Sequence, residues 1–369
     1  MVGWLEHPLL KWFLPVLMLG AAFPLVYLVF RGTWRSLEFE ALELRQRLAA
    51  EGRFDFRPLV TLTLGVLILV MQEYYGQLHF YRDKLAPVLL AKLATARGDH
   101  ASTLPCTLPC TLPATLSATL DLYSELLGRA WWGLTRIAGY LTPYLVWRLV
   151  FPADSLRDLG LRFRGLGQHA WLYALFVVVM IPILLIVSRQ PDFGAYYPIY
   201  SLAGRSWADF LVWEGIYIAQ FVALEMFFRG WWIRTTRIFG TGAIFSMIVP
   251  YCMVHFGKPY LEVCSALIAG VVLGSLSIRT RSIWAGVAVH VTVAILMDVL
   301  SLERKGQLPS ALTATSSQHL HFPFWRAIIW VAWGLAGAVL MAKVARVWPA
   351  ARAAWSQRRC SPPTDPRPR

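Results

Sequence analysis

The stretch AWLYALFVVVMIPILLIVS, residues 170–188, contains no Asp, Glu, Lys, Arg or His. As a helix it spans about 28 Å, close to the thickness of the hydrocarbon core of a bilayer. Uncharged or nearly uncharged runs also occupy 12–30, 58–72, 238–257, 263–278, 282–297 and 327–342, and apolar, aromatic segments with few ionisable groups occupy 131–151 and 207–233. The sequence therefore predicts an all-α, polytopic transmembrane helical bundle of eight or nine helices.

The composition agrees with a membrane protein. Of the 369 residues, 57% are hydrophobic and 15% are charged, and the mean hydropathy is +0.51. These values exclude an ordinary water-soluble domain and predict an integral membrane protein, with membrane lipids as partners, in a bacterial-type plasma membrane.

The net charge of +14 could indicate nucleic-acid binding. However, the basic residues lie in short segments between the apolar runs and in the C-terminal tail, as the positive-inside rule requires, so no nucleic-acid partner is expected. The rule places the C-terminus in the cytoplasm and, with nine helices, the N-terminus outside. The arginines used for this assignment are Arg157, Arg162, Arg164, Arg229, Arg234, Arg237, Arg279, Arg281, Arg358, Arg359, Arg367 and Arg369.

The N-terminal part, residues 1–128, is predicted to be a membrane extension with two helices. Between them, residues 31–57 have apolar positions at helical spacing and a nearly balanced charge, which indicates an amphipathic helix with a solvated face on the cytoplasmic surface. Residues 103–120 repeat the tetrapeptide TLPx, and proline at every fourth position predicts a disordered or extended loop. Cys106 and Cys110 owe their spacing to this repeat, so the spacing itself is weak evidence for a metal site.

Three further segments complete the predicted organisation. Residues 129–302 hold the ionisable residues within apolar helices and form the predicted functional domain. Residues 303–348 are predicted to be a polar loop and the last transmembrane helix, and residues 349–369 a disordered basic tail rich in proline and arginine.

Glu225, His255 and His290 are ionisable residues inside otherwise apolar stretches. A charge at mid-bilayer costs at least about 2.5 to 3.5 kcal/mol, so such side chains usually face a protein interior or a water-filled cavity and mark a site. Glu225 and Arg229 are one helical turn apart and can pair, either to lower the insertion cost of both or to hold a carboxylate that faces the cavity. Glu262 and Asp298, on the two histidine-bearing segments, are candidate accessory residues.

These residue types permit more than one chemistry. His255, His290 and Glu225 could bind zinc with an open position for water. Alternatively, the carboxylate could act as a general base while the histidines stabilise a tetrahedral oxyanion. A proton pathway in a transporter would use the same residue types, and the spacing does not separate these alternatives.

The ordered motifs resemble the CPBP family of intramembrane proteases, which includes CAAX prenyl proteases of the Rce1 type and the bacterial Abi proteins. The family pattern is EExxxR, whose arginine often belongs to an FRG sequence as in Phe228–Gly230, then FxxxH and then HxxxN or HxxxD on successive helices. The end of the first motif corresponds to Glu225–Arg229, the second motif to Tyr251–His255 with Tyr for Phe, and the third to His290. The resemblance covers about residues 155–300.

The resemblance implies hydrolysis of a peptide bond within the bilayer, in a peptide or protein substrate that is prenylated or transmembrane. Glu225, Arg229, His255 and His290 take the catalytic positions, with zinc as the candidate metal. Two positions depart from the family pattern, because Leu224 replaces its first glutamate and Ala294 its final Asn or Asp. We therefore keep a catalytically inactive scaffold or chaperone of the same family as the alternative, and Glu262 and Asp298 as candidate substitutes for the missing groups.

Overall fold

The computed structural model describes residues 8–96, 114–163, 166–318 and 325–360. This part of the chain is helical, and its only β-type pairing is a single bridge between Leu161 and Ser282. The helices are α1 (Pro8–Ala50), α2 (Arg57–Tyr75), α3 (Leu78–Phe80), α4 (Ala86–Ala96), α5 (Ala114–Leu122), α6 (Ser124–Val150), α7 (Ala170–Val187), α8 (Pro191–Tyr196), α9 (Trp207–Glu225), α10 (Ile233–Thr235), α11 (Gly242–Met253), α12 (Tyr260–Thr280), α13 (Trp284–Arg304) and α14 (Trp325–Cys360). Two π-helical segments, Tyr81–Leu85 and Met226–Trp232, join α3 to α4 and α9 to α10, and short 3-10 turns cover Leu156–Leu159, Leu166–His169 and Arg237–Phe239.

Seven helices of the described chain are long and apolar enough to cross a membrane. They are α1, α2, α7, the continuous unit Trp207–Thr235, α12, α13 and α14. The other two predicted segments are also helical: α6 has 27 residues but a more polar composition, and α11 has only 12 residues. The predicted all-α, polytopic fold is confirmed, and the predicted number of helices is approximately right.

Contacts at the two ends of the bundle give the direction of each helix. At one end, which we call the arginine-rich end, the start of α2 contacts the end of α10. The hydroxyls of Thr61 and Thr235 are 2.8 Å apart there. The opposite end joins the start of α12 to α8, since the Tyr260 amide donates to Asp192. Further contacts at the arginine-rich end are Arg57–Asp154, Glu38–Thr241 and Gly160–Ile283, and those at the opposite end are Tyr75–Trp131, Glu125–Ser201, Tyr197–Lys305 and Glu303–Arg326.

These contacts make successive long segments antiparallel. The chain reaches the arginine-rich end at the end of α10 and leaves it at the start of α11. It is at the opposite end when α12 begins, so α11 and the tight turns that follow it complete one traverse. In the described part of the chain, α1 and α14 each begin at the opposite end. Helix α14 then runs toward the arginine-rich end.

Helix α1 includes most of residues 31–57. It is one continuous 43-residue helix despite Pro15 and Pro24, and a few positions of its second half pack on the bundle while most of the others are exposed. The Trp34 indole donates to the Ser275 hydroxyl at 2.8 Å, and Glu38 accepts from the Thr241 backbone amide at 2.7 Å. Leu37 and Ala41 are buried, so the apolar positions recognised in the sequence form an intramolecular contact.

Two loop predictions are also changed. Helix α5 begins at Ala114, directly after the last repeat proline, because the rest of the repeat has no proline to interrupt a helix. The loop prediction is therefore wrong for 114–120, whereas the earlier repeats, with Cys106 and Cys110, lie outside the described residues. Similarly, α14 continues to Cys360, beyond the predicted start of a disordered tail at 349, and 361–369 lie outside the described residues.

Candidate active site

Glu225 occupies the last position of α9 and is fully buried. Its Oε1 atom lies 3.0 Å from Nη1 of Arg229 and 2.9 Å from Nδ1 of His290 on α13. The structure thus brings together three of the four predicted catalytic residues. Burial of the carboxylate is offset by the guanidinium charge and by the imidazole hydrogen bond.

The second carboxylate oxygen of Glu225, Oε2, is directed at Gly286. A Cβ atom built on Gly286 would lie 2.3 Å from this oxygen, so only a glycine allows this approach. Among the described residues, Oε2 has no hydrogen-bond partner. One oxygen of the acid is therefore held in place while the other has an unused acceptor.

Arg229 lies in the π-helical segment Met226–Trp232, which is buried from Phe227 onward. Its guanidinium is fully buried and lies 4.0 Å from the centre of the Tyr251 ring, a cation–π contact. The π turn also changes the backbone hydrogen bonding, and the carbonyl of Met226 accepts from the Tyr144 hydroxyl at 2.8 Å. Short π segments are rare and are frequently found at functional sites.

His255 follows α11 and is bound differently from His290. Its Nδ1 atom is 2.8 Å from the carbonyl oxygen of Tyr251, and its ring lies 4.7 Å from the Tyr251 ring. The ring of His290 lies 6.4 Å from the same tyrosine. Tyr251 therefore connects His255 to the Glu225–His290 pair. The sequence motif, with Tyr at the phenylalanine position of FxxxH, did not predict this connection.

The short α11 brings Tyr251 to the depth of Glu225. Tyr251 lies nine residues beyond the start of α11 and Glu225 ten residues before the end of α10, which correspond to about 13 and 15 Å from the same end of the bundle. An uninterrupted span over 238–257 would place His255 near the far surface. Ending the helix at Met253 keeps the imidazole within the bundle, where His255 is buried.

Glu262 and Asp298 are held by partners other than Glu225. The Glu262 carboxylate accepts from Lys258 at 2.7 Å and from the Tyr197 hydroxyl at 2.6 Å, near the opposite end of the bundle. Asp298 accepts from the Trp213 indole at 2.8 Å. These contacts do not support the hypothesis that either residue substitutes for a missing family group.

Leu224 and Ala294, the two departures from the family pattern, are buried in apolar surroundings. Leu224 belongs to the hydrophobic cluster around the π segment. Ala294 belongs to a second cluster that includes Trp213, Tyr217 and Phe221. At both positions the chain places an apolar side chain in its core.

The arrangement does not fit a zinc site. Among the described residues, no three His, Cys, Asp or Glu side chains are grouped so that they could hold a metal ion. Zinc in catalytic sites usually has three protein ligands, whereas Glu225 Oε1 already faces the positive charge of Arg229, which opposes a second cation at this oxygen. The groups available for chemistry at this site are the acid, the arginine and the two imidazoles.

Sequence comparison relates part of the chain to a known family. The family model described as type II CAAX prenyl endopeptidase, Rce1-like, matches residues 206–296. This segment is a domain of the CPBP/CAAX protease family. The CPBP segment covers a quarter of the chain and contains Glu225, Arg229, His255 and His290. No curated protein and no solved structure matches the chain.

The apolar helices show an integral membrane protein, and its residues 206–296 match the model of a CAAX protease family. At the level of the family this implies surrounding lipids and a peptide substrate. The sequence search for ionisable residues in apolar segments missed Glu214, which lies in the same predicted span as Glu225 and is also buried. The same insertion-cost criterion would have found it.

Proposed function

We propose that this protein is an intramembrane endopeptidase of the CAAX-protease type, in which Glu225 activates a water molecule for attack on a peptide carbonyl. The observation that carries the proposal is the contact between Glu225 and His290, 2.9 Å apart, on two different helices in the interior of the bundle. A buried acid and base in contact form an arrangement suited to moving a proton.

The proposed mechanism uses the free oxygen of Glu225. Oε2 accepts a proton from water while the water oxygen forms a bond to the carbonyl carbon, and Arg229 balances the carboxylate charge beforehand. His255 and His290 lie on the side of Tyr251 and Phe221, and each already uses its Nδ1–H, for the Tyr251 carbonyl and for Glu225 respectively. They donate to the resulting oxyanion from Nε2, which requires the protonated form of the ring. The proton taken by Glu225 is then delivered to the leaving nitrogen as the carbon–nitrogen bond breaks.

Access to Glu225 requires movement. The carboxylate has no exposed surface, whereas the side chain of His290 is 13% exposed. We propose that substrate enters beside His290 when α13 separates from its neighbours, since small interhelical movements are common steps in enzymes that exclude bulk water.

The experiment uses the full chain in proteoliposomes and a fluorogenic farnesylated peptide that ends in a CAAX sequence, with Cys, two aliphatic residues and a variable residue. Glu225→Gln should reduce cleavage by about 10²- to 10⁴-fold, the range for a positioned acid–base group, and His290→Ala should also reduce it strongly. Glu51→Gln, at an exposed site, is the matched control. A metal chelator should leave cleavage unchanged. Full activity of Glu225→Gln in correctly folded protein would overturn the proposal.

The alternative function is a non-catalytic scaffold of the same family, which the buried apolar residues Leu224 and Ala294 favour. If the scaffold role holds, the parent protein cleaves no peptide, and the double variant Leu224→Glu with Ala294→Asn gains cleavage. An active parent whose activity is unaffected by these substitutions would exclude the scaffold role.

A further inference from the structure

Two buried acids, Glu214 and Asp298, lie on the same two helices that carry the Glu225–His290 contact. Glu214 on α9 lies eleven residues, or three turns, before Glu225, and Asp298 on α13 lies eight residues after His290. Glu214 is 4% exposed and Asp298 is fully buried. The proposed mechanism uses neither residue.

The two carboxyl groups interact electrostatically, and so do Asp298 and the guanidinium of Arg129 on α6. Among the described residues, both Glu214 oxygens and Asp298 Oδ1 have no hydrogen-bond partner, whereas Asp298 Oδ2 is held by a hydrogen bond.

A column of aromatic rings leads from Asp298 to His290. Asp298 Oδ2 accepts from Nε1 of Trp213 at 2.8 Å. The centroids of successive rings are 5.1 Å apart from Trp213 to Tyr217, 4.6 Å from Tyr217 to Phe221, and 4.4 Å from Phe221 to His290. Trp213, Tyr217 and Phe221 recur every four residues, so they share one face of α9.

We propose that Asp298 is a positioning residue that holds His290 in register with Glu225 through this column. The inference rests on the proposed function of the Glu225–His290 pair. Asp298 fixes the rotation of the Trp213 indole, and the packed rings transmit that orientation to Phe221 and the imidazole. Aromatic side chains suit this role because few rotatable bonds separate each ring from the backbone.

The first test removes the link at the far end of the column. Trp213→Phe keeps a six-membered ring but loses the indole N–H. We expect kcat for the farnesylated peptide to fall about tenfold and KM to change by no more than about twofold. The expected fall in kcat is smaller than the roughly hundredfold loss that a 1 Å misplacement of a catalytic group can cause. Asp298→Leu should behave in the same way. Asp298→Asn keeps an acceptor for Trp213 and should restore at least half of the parental kcat.

The chain provides a matched control. Trp147 is also buried and also donates from its indole to an aspartate, Asp154, at 3.1 Å, but it lies on α6. Trp147→Phe therefore loses an equivalent hydrogen bond without touching the column, and its kcat should stay near the parental value. Equal kcat losses in Trp147→Phe and Trp213→Phe would mean that the effect is general destabilisation and would overturn the proposal.

A spectroscopic measurement separates this proposal from the proposed function. The imidazole nitrogen resonances of His290, assigned by their loss in His290→Gln, report its hydrogen bond to Glu225 in detergent-solubilised protein whether or not the protein cleaves a peptide. They should shift in Trp213→Phe and Asp298→Leu, and remain in place in Asp298→Asn and Trp147→Phe. An unchanged His290 signal in Trp213→Phe overturns the positioning role, whereas a shifted signal in a protein without peptidase activity refutes only the proposed function.

Discussion

At the scale of single residues, Gly286 determines how closely α13 can approach Glu225. Gly286→Ala places a methyl group 2.3 Å from Glu225 Oε2, so either the carboxylate or the helix must move. We expect a loss of about 1 to 3 kcal/mol in the free energy of unfolding, typical of overpacking, together with a large loss of peptide cleavage. Denaturant unfolding in detergent and the peptidase assay measure the two effects.

Gly215 provides the control for that substitution. It is also a helical glycine, on α9, but a Cβ there would meet nothing within 4 Å. Gly215→Ala should stabilise the protein by about 0.5 to 1 kcal/mol because alanine favours helix. If Gly286→Ala were equally stabilising and fully active, the close contact between Gly286 and Glu225 would be refuted.

The ion pair of Glu225 and Arg229 makes a second prediction at this scale. Both side chains are fully buried, so Arg229→Met leaves a buried carboxylate without its counter-charge and should cost about 3 to 5 kcal/mol of stability. The double variant with Glu225→Gln removes both charges and should recover part of this loss. Unfolding midpoints of the two variants test it, and losses that simply add would contradict the pairing.

Spacing alone predicts some of these contacts. Glu225 and Arg229 are four residues apart in one apolar segment, which is sufficient to predict their pairing, and the insertion cost of His290 indicates an interior position. The contact with Gly286 and the ring column depend on how α9 and α13 are rotated against each other. The sequence of neither helix contains that information.

At the scale of elements, Asp154 joins the start of α2 to the end of α6. Its carboxylate makes two hydrogen bonds with Arg57, at 2.8 and 2.9 Å, and one with Trp147. The hydrogen bonds from Arg57 are the main reason that the pKa of Asp154 lies below its ordinary value of 3.8, although partial burial acts in the opposite direction. The charged form of Asp154 therefore stabilises the fold.

This shift predicts a pH dependence. Because the folded pKa is lowered, the stabilisation is present above about pH 4 and is lost as the pH falls through the folded pKa. Asp154→Asn should cost about 1 kcal/mol at pH 7, a value reduced for partial exposure, and less at pH 3, where protonation removes part of the stabilisation. Thermal unfolding at both pH values measures the difference. Glu51→Gln, in an exposed pair, should show no such dependence, and an equal loss for Asp154→Asn at both pH values would contradict the link.

The π segment and the short α11 are elements that the sequence did not predict. Hydrophobic periodicity predicts an apolar helix over 207–233 but does not distinguish a π turn from an α turn. Likewise, the apolar run at 238–257 does not show that the helix ends at Met253. Both features change how deep a residue lies in the bundle. Counting residues along the sequence therefore places Glu225 and His255 at different depths, whereas the structure places them on either side of Tyr251.

At the scale of the whole molecule, the alternating helix directions predict opposite locations for two loops. Residues 51–56 follow α1 at the arginine-rich end, and the loop 305–318 follows α13 at the opposite end. We propose that the arginine-rich end is cytoplasmic. In a variant without native cysteines, an impermeant maleimide added to intact cells should label Ser317→Cys and leave Glu51→Cys unlabelled until the cells are opened. The reverse pattern would invert the topology.

The π segment also has an evolutionary consequence. A π turn contains one residue more than the α turn it replaces, so it corresponds to a single-residue insertion into an ancestral helix. A relative that kept this acid and arginine but had a regular α-helix would align with this chain only with a one-residue gap between Glu225 and Arg234. Such a gap would mark the lineage in which the helix acquired its wider turn.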